Sequence, residues 1–262
     1  YLSVPKLTAS DRSGDQTPIL LFGRGETSDV LTAGWSAAEK VRRQKLIPDA
    51  TAWDLLAIAL SGVVADGTTL RSASPDGWTR QIELEIALSD PQRWNPHADA
   101  IATALKFLTT DLWTISFRDG GAIPTPPKKP QYPTSDAVAL LSGGLDSLIG
   151  AIDLTVAGTK LLAVSQTVRG DAAKQDRFAQ RIGGGIDHLQ LNHNASTPRG
   201  EKETSQRSRS LIFLAFAVLA ATATRRYAYG QPVPLYVNEN GFIAINPPLT
   251  AARVGSLSTR TA

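Results

Sequence analysis

The sequence predicts an α/β protein, with a doubly wound parallel sheet in the C-terminal half and a smaller α/β domain before it. Three observations lead there. In the second half, unbroken apolar runs alternate with segments of helical period, as buried parallel strands and their covering helices require. In the first half, strict apolar–polar alternation marks half-buried strands between amphipathic helices. A stretch holding Gly120, Gly121, Pro124, Pro126, Pro127, Pro130 and Pro133 divides the two. Proline fixes φ and removes a donor, so this stretch reads as extended linker. The expected units are residues 1–120, a linker over 121–135, and residues 136–262, the last expected to be incomplete at its C-terminal end.

In chain order, residues 19–22 form the first strand candidate. Trp53, Leu56 and Leu60 recur at helical spacing, with Asp54 suited to a helix's first turn. Ile82, Leu84, Ile86 and Leu88 alternate with Gln81, Glu83 and Glu85 as a strand. Ile101, Leu105 and Leu108 mark a helix, and Trp113, Ile115 and Phe117 a further strand. No acid, base and nucleophile cluster in this half, and the five tryptophans suit packing. The half is therefore expected to serve recognition, across a joint where contacts are commonly modest and mobile.

The second half opens on an apolar strand over 137–141, followed by a helix to about residue 157. A strand over 160–165, a helix over 171–181 and a strand over 186–191 follow, with Gly183-Gly184-Gly185 as a turn. A long helix over 204–226 and a strand over 233–237 complete the pattern.

Composition narrows the function. The 262 residues carry 27 Lys plus Arg against 24 Asp plus Glu, with 42% hydrophobic and 19% charged residues, which excludes a wholly disordered chain. A net charge of +3 admits an anionic ligand but lacks the concentrated basic stripe of a nucleic-acid binder. The sequence has no Met and no Cys, which excludes a disulfide scaffold and a Cys nucleophile within these residues. His97, His188 and His193 lack metal-ligand spacing, so a zinc site would need residues outside this sequence. The longest apolar run, 211–221, falls short of the roughly 20 residues of a membrane span. With no signal-peptide pattern at the start, the expected location is cytoplasmic and no membrane partner is expected.

The chemistry points to Ser142-Gly143-Gly144-Leu145-Asp146-Ser147, between the strand and the helix that follows it. Two glycines let a backbone approach a ligand closely, and a helix start offers free N–H groups and a dipole suited to an anion. Ser142 and Ser147 add hydroxyls. Asp146 suits a helix cap or a magnesium ion accompanying a polyphosphate. There is neither a Walker A string nor the Gly-x-Ser-x-Gly string of a hydrolase serine. Arg207 and Arg209 open the long helix, where guanidinium groups suit polyphosphate. Ser165 and Gln166 end the second strand of this half, and Glu239 and Asn240 follow the last one.

The Ser-Gly-Gly-x-Asp-Ser string after an apolar strand resembles the PP-loop of the N-type ATP pyrophosphatases, which implies an adenine nucleotide alpha hydrolase-like fold. Gln206-Arg207-Ser208-Arg209-Ser210, Asn238-Glu239-Asn240-Gly241-Phe242 and Asn246-Pro247-Pro248-Leu249-Thr250 follow in an order similar to the 7-cyano-7-deazaguanine synthase (QueC) family. They look closest to the QueC-like component (QatC) of the Qat antiphage defence systems. That family opens the helix with Arg-Asn, whereas this chain reads Arg209-Ser210. Its usual four-cysteine zinc site has no counterpart here.

The resemblance implies an ATP-dependent ligase with ATP and magnesium as cofactors. Asp146 and Arg209 would act catalytically, and Asp146 would hold the metal. Ser142, Gly143, Gly144, Leu145, Asp146, Ser147, Ser165, Gln166 and Arg207 would bind ATP. Glu239, Asn240, Asn246 and Arg253 would bind a substrate like 7-carboxy-7-deazaguanine, with Ser256 and Arg260 as weaker candidates. The implied reaction adenylates a carboxylate and passes it to a nitrogen nucleophile, which a protein partner from a defence operon would supply. The alternatives are a nucleotide-binding scaffold without turnover, or another PP-loop enzyme that modifies nucleosides or tRNA.

Overall fold

The computed structural model describes residues 1–6, 11, 16–25, 30–167, 170–195, 203 and 208–238. Its first half holds strands β1 (Leu2–Val4), β2 (Pro18–Leu21), β3 (Leu31–Ala33), β4 (Gln81–Leu88) and β5 (Leu112–Asp119). Helices α1 (Trp35–Arg43), α2 (Ala50–Thr68), α3 (Pro91–Trp94) and α4 (Ala98–Thr109) connect them. The second half holds β6 (Ala137–Leu140), β7 (Leu161–Gln166), β8 (Asp187–Leu191) and β9 (Leu235–Tyr236), with α5 (Leu145–Val156), α6 (Ala172–Arg181), α7 (Arg209–Thr222) and α8 (Arg225–Ala228).

Two sheets result, ordered β3-β2-β1-β4-β5 and β8-β7-β6-β9, with parallel pairing throughout. Each progresses outward from its first strand, then reverses to the other side, so each has a switch point, at β1/β4 and at β6/β9. The N-terminal sheet, expected to belong to the smaller unit, is the wider one among the described residues, with five strands against four. β1 and β3 escape sequence reading because three residues show no period. α1 escapes it because much of its buried face is alanine, Ala37 and Ala38 beside Val41.

Periodicity decides how each sheet is covered. In the register of β4 and β5, Ile82 stands beside Trp113 and Leu84 beside Ile115, all in the main core. The residues between them, Thr114 and Ser116, are exposed. β6 and β7 are buried at every position. Val138, Leu140, Leu162 and Val164 join the main core with α7, while Ala137, Ala139, Leu161 and Ala163 pack on the other face with Ala151 of α5 and Ala179 of α6. The second sheet is thus wound on both faces.

The two halves share one core. α2 and α7 are apolar all round, the mark of a helix buried on every side, and they contribute to a single cluster running from Ile19 and Leu84 to Val164 and Leu191. Hydrogen bonds at both ends make them antiparallel: Asp49 N–H donates to Thr222 Oγ1 at 3.2 Å, and Ser208 Oγ donates to Asp66 Oδ2 at 2.7 Å. α2 is long and apolar enough to cross a membrane by composition and length, but 72% of its apolar stretch is buried inside the protein.

The proline-rich stretch is extended, and it is pinned along its length. Gly121 N–H donates to Leu88 O, Gln131 N–H to Lys45 O, and Arg225 N–H donates to Pro133 O. The contacts expected to be modest and mobile are instead a common core and a tethered strap.

Two boundaries differ from the sequence reading. The helix expected over 204–226 begins at Arg209 and ends at Thr222, with 204–207 outside the described residues. Thr224 accepts from Tyr227 N–H and starts α8, breaking the run. The strand expected over 233–237 contracts to Leu235–Tyr236, because Pro232 and Pro234 have no N–H for a ladder. Trp53 and Trp113 lie in the core, whereas Trp35 and Trp78 lie beneath the guanidinium groups of Arg24 and Arg71.

Candidate functional site

The loop over residues 142–147 leaves the carboxyl end of β6 and enters α5. Gly143 turns it with φ of +91°, a conformation L side chains rarely adopt. Gly144 is the N-cap and supplies no side chain to its helix, so α5 starts without a side-chain cap. Three hydrogen bonds close the loop on itself. Gly144 N–H donates to Ser142 Oγ at 3.3 Å, and Ser147 Oγ donates to Gly144 O at 3.0 Å. Ser147 has then spent its one proton, so Ser142 Oγ donates to Ser147 Oγ at 3.1 Å. No hydrogen bond or ion pair engages Asp146 among the described residues, and its half-buried side chain stands in the first turn of α5.

A cavity of about 70 Å³ lies beside this loop, lined by Leu140, Ser142, Ser147, Ser210, Phe213, Leu214, Val237 and Asn238. These residues come from β6, α5, α7 and the end of β9, so the cavity sits at the β6/β9 switch point, where open parallel sheets bind ligands. Asn238 is seated there by a close approach to α5: a Cβ on Gly150 would fall 2.1 Å from Asn238 Cγ. Its Nδ2 is buried and has no hydrogen-bond partner among the described residues. A larger cavity of about 160 Å³ lies beneath the strap over residues 123–127, far along the chain from this chemistry and mostly apolar.

Beside the loop, the ends of β6 and β7 are clamped from α6. Gln175, 1% exposed, donates from Nε2 to Ser142 O and to Gln166 O, each at 3.2 Å. Gln190 Nε2 in turn donates to Gln175 Oε1 and to Ala172 O. Ser165 Oγ donates to Leu141 O at 2.6 Å, so at 2.8 Å it accepts from His188 Nε2. A serine fully buried and committed to a carbonyl is a brace and no nucleophile, although Asp176 lies 3.8 Å from the far nitrogen of His188. Gln166 Nε2 donates to His193 Nδ1 at 3.2 Å, which requires a neutral ring. Burial, helped by the nearby charge of Arg209, pushes His193 down to about 4.

The structure therefore gathers Ser142, Gly143, Gly144, Leu145, Asp146 and Ser147 in the loop, with Ser165 and Gln166 braced next to it and Arg209 opening α7. Arg207, Glu239, Asn240, Asn246, Arg253, Ser256 and Arg260 lie outside the described residues. Sequence reading missed Gln175, Ser210 and Asn238. A glutamine within a polar helix carries no signal, but Asn238 directly precedes Glu239-Asn240 and Ser210 directly follows Arg209, so both lay within strings already singled out.

Magnesium is commonly bound by one or two carboxylates together with substrate phosphates, without an all-protein cage. Asp146 fits that pattern, and no group of three or more His, Asp or Glu side chains able to hold a metal stands among the described residues. Comparison with protein-family models, with curated proteins and with solved structures finds no match for this chain.

Proposed function

We propose that the protein is a QueC-like, ATP-dependent ligase of the PP-loop class. The observation that carries the proposal is the Ser-Gly-Gly-x-Asp-Ser loop, turned by Gly143 into the start of α5 at the β6/β9 switch point. ATP is the ligand whose polyphosphate matches this arrangement. The first N–H groups of α5 receive phosphate oxygens, the hydroxyls of Ser142 and Ser147 join them by giving up the hydrogen bonds that close the loop, and Arg209 offsets the phosphate charge. Asp146 holds magnesium, which supplies charge neutralisation to the phosphates. Gln175 and Gln166 keep the ends of β6 and β7 in register beneath the nucleotide. The reaction implied by the sequence resemblance joins a carboxylate, like that of 7-carboxy-7-deazaguanine, to the α-phosphorus with loss of pyrophosphate. A nitrogen nucleophile then displaces AMP to form an amide, and in a defence setting that nitrogen belongs to a partner protein. The chain's own part is orientation and electrostatic stabilisation, with no covalent intermediate on a side chain.

The test follows AMP and pyrophosphate on incubation with ATP, magnesium and 7-carboxy-7-deazaguanine. Turnover separates a ligase from a nucleotide-binding scaffold. Asp146→Asn is expected to abolish pyrophosphate release at unchanged melting temperature, because it removes a charge from a loop and nothing from the core. Normal turnover by that variant, or no binding of ATP by the native chain, contradicts the reading.

A further inference from the structure

Ser208 occupies the N-cap position of α7, where serine normally caps its own helix. Here it makes no cap hydrogen bond, and its hydroxyl reaches across to Asp66 Oδ2 at 2.7 Å. Both residues are 1% exposed. Asp66 is itself held rigidly. Its Oδ1 accepts from the fully buried Arg80 at 2.5 Å, and its backbone carbonyl accepts from Arg80 at 2.6 Å. Arg80 also binds Asp111, which Arg71 grips with both terminal nitrogens at 2.9 and 3.0 Å. Arg71 N–H donates to Glu203 Oε1 at 2.7 Å, and Glu203 N–H donates to Gly67 O, so the chain leading toward α7 is tied to the same network at a second point. Two arginines and two aspartates close the network, and each is paired within it.

The next two residues after Ser208 are Arg209 and Ser210. Arg209 acts electrostatically on His193, and Ser210 lines the cavity with Ser142, Ser147 and Asn238. From this geometry we infer that Asp66, acting through Ser208, is a positioning residue for the nucleotide site. The N-terminal half fixes the first turn of α7 against the Ser142-to-Ser147 loop and so takes part in nucleotide binding without touching the nucleotide. This rests on the ATP reading above.

The opposite end of the same helix pair supplies the control. Asp49 N–H donates to Thr222 Oγ1, a comparable bond at the far end of α7, about 20 Å along the helix. ATP with magnesium is titrated into the full chain, the Ser208→Ala variant and the Thr222→Val variant, and melting temperatures are recorded. Ser208→Ala is expected to weaken ATP binding by about tenfold, while Thr222→Val leaves it within about twofold, with similar losses of melting temperature. Unchanged affinity in Ser208→Ala, or an equal loss in both variants, overturns the positioning role and leaves the ATP reading standing. No binding by the native chain overturns both. Should Ser208→Ala fail to fold, Ser208→Cys keeps the volume while weakening the donor and is held to the same criteria.

Discussion

The two sheets run in the same strand order from their first strands, yet they use their charged and polar groups in opposite ways. At the amino ends of β4 and β5, the first sheet buries Arg80 against Asp66 and Asp111, and every charge finds a partner. Burial opposes the charge on Asp111, but the Arg80 guanidinium outweighs it and holds the carboxyl below its ordinary value. At the carboxyl ends of β6 and β7, the second sheet gathers hydroxyls, amides and a neutral histidine, and it leaves Asp146 without a partner among the described residues. Topology alone therefore does not mark a site. The distinguishing feature is that braced neutral polar groups surround an Asp146 carboxylate and an Asn238 amide nitrogen with no partner among the described residues, where the first sheet pairs each charge.

The largest test breaks the pairing of the two halves. Removing residues 1–120 strips α7 of α2 and removes most of the core cluster that buries Phe216 and Leu219. The remainder is expected to lose its cooperative melt altogether; a folded, ATP-binding second half would show that the shared core is dispensable. Next, Arg80→Met leaves Asp66 buried without its cation and Asp111 with Arg71 alone, which costs about 3–5 kcal/mol. Urea titration reads this, and a cost below about 1 kcal/mol would mean that the network is solvated.

Acid melting separates the sheets further. Below pH 6.5 the unfolded chain takes up a proton at His193 that the folded protein refuses until about pH 4. The contribution of neutral His193 is thus complete above pH 6.5 and lost as pH falls to about 4, on the order of 3 kcal/mol. The Asp111 contribution is present above its ordinary value of 3.8 and lost only below it. His193→Gln is expected to flatten the upper part of the curve and leave the lower part alone; an unchanged upper part would show that the ring is accessible to protons. The smallest effect concerns charge at the loop. On the ATP reading proposed above, Arg209→Ala is expected to lose a charged phosphate contact of about 1.5–3 kcal/mol, or roughly tenfold or more in ATP affinity. A fall in melting temperature with unchanged affinity would make Arg209 structural.

Much of this was legible in the sequence where a period was long enough to read. β4, β5, α2 and α4 follow from apolar spacing over five to eight residues, because one buried face imposes a repeat on the chain. The Ser142-to-Ser147 loop was legible because its glycines and hydroxyls are local: a turn at positive φ and a helix start are decided by neighbouring residues. The three-residue strands β1 and β3 were not legible, since their pairing partners, not their own pattern, make them strands.

Asp54 shows the limit. Its carboxylate near the start of α2 suggests a helix dipole effect, yet it accepts from Ser89 N–H, Ser89 Oγ and Asp90 N–H, anchoring the loop after β4. Gln175 and Ser208 are of the same kind, with partners elsewhere in the chain, and Asn238 Nδ2 has none among the described residues. Neighbouring residues constrain only local features, which here means the period of the longer elements and the shape of the Ser142-to-Ser147 loop. Only the folded protein decided that α2 would lie against α7, that Ser208 would turn from its own helix to Asp66, and that a proline-rich stretch would be a strap over a single core. Those choices rest on burial and on hydrogen bonds between segments distant in the chain, such as the one between Asp66 and Ser208, 142 residues apart, which no local pattern encodes.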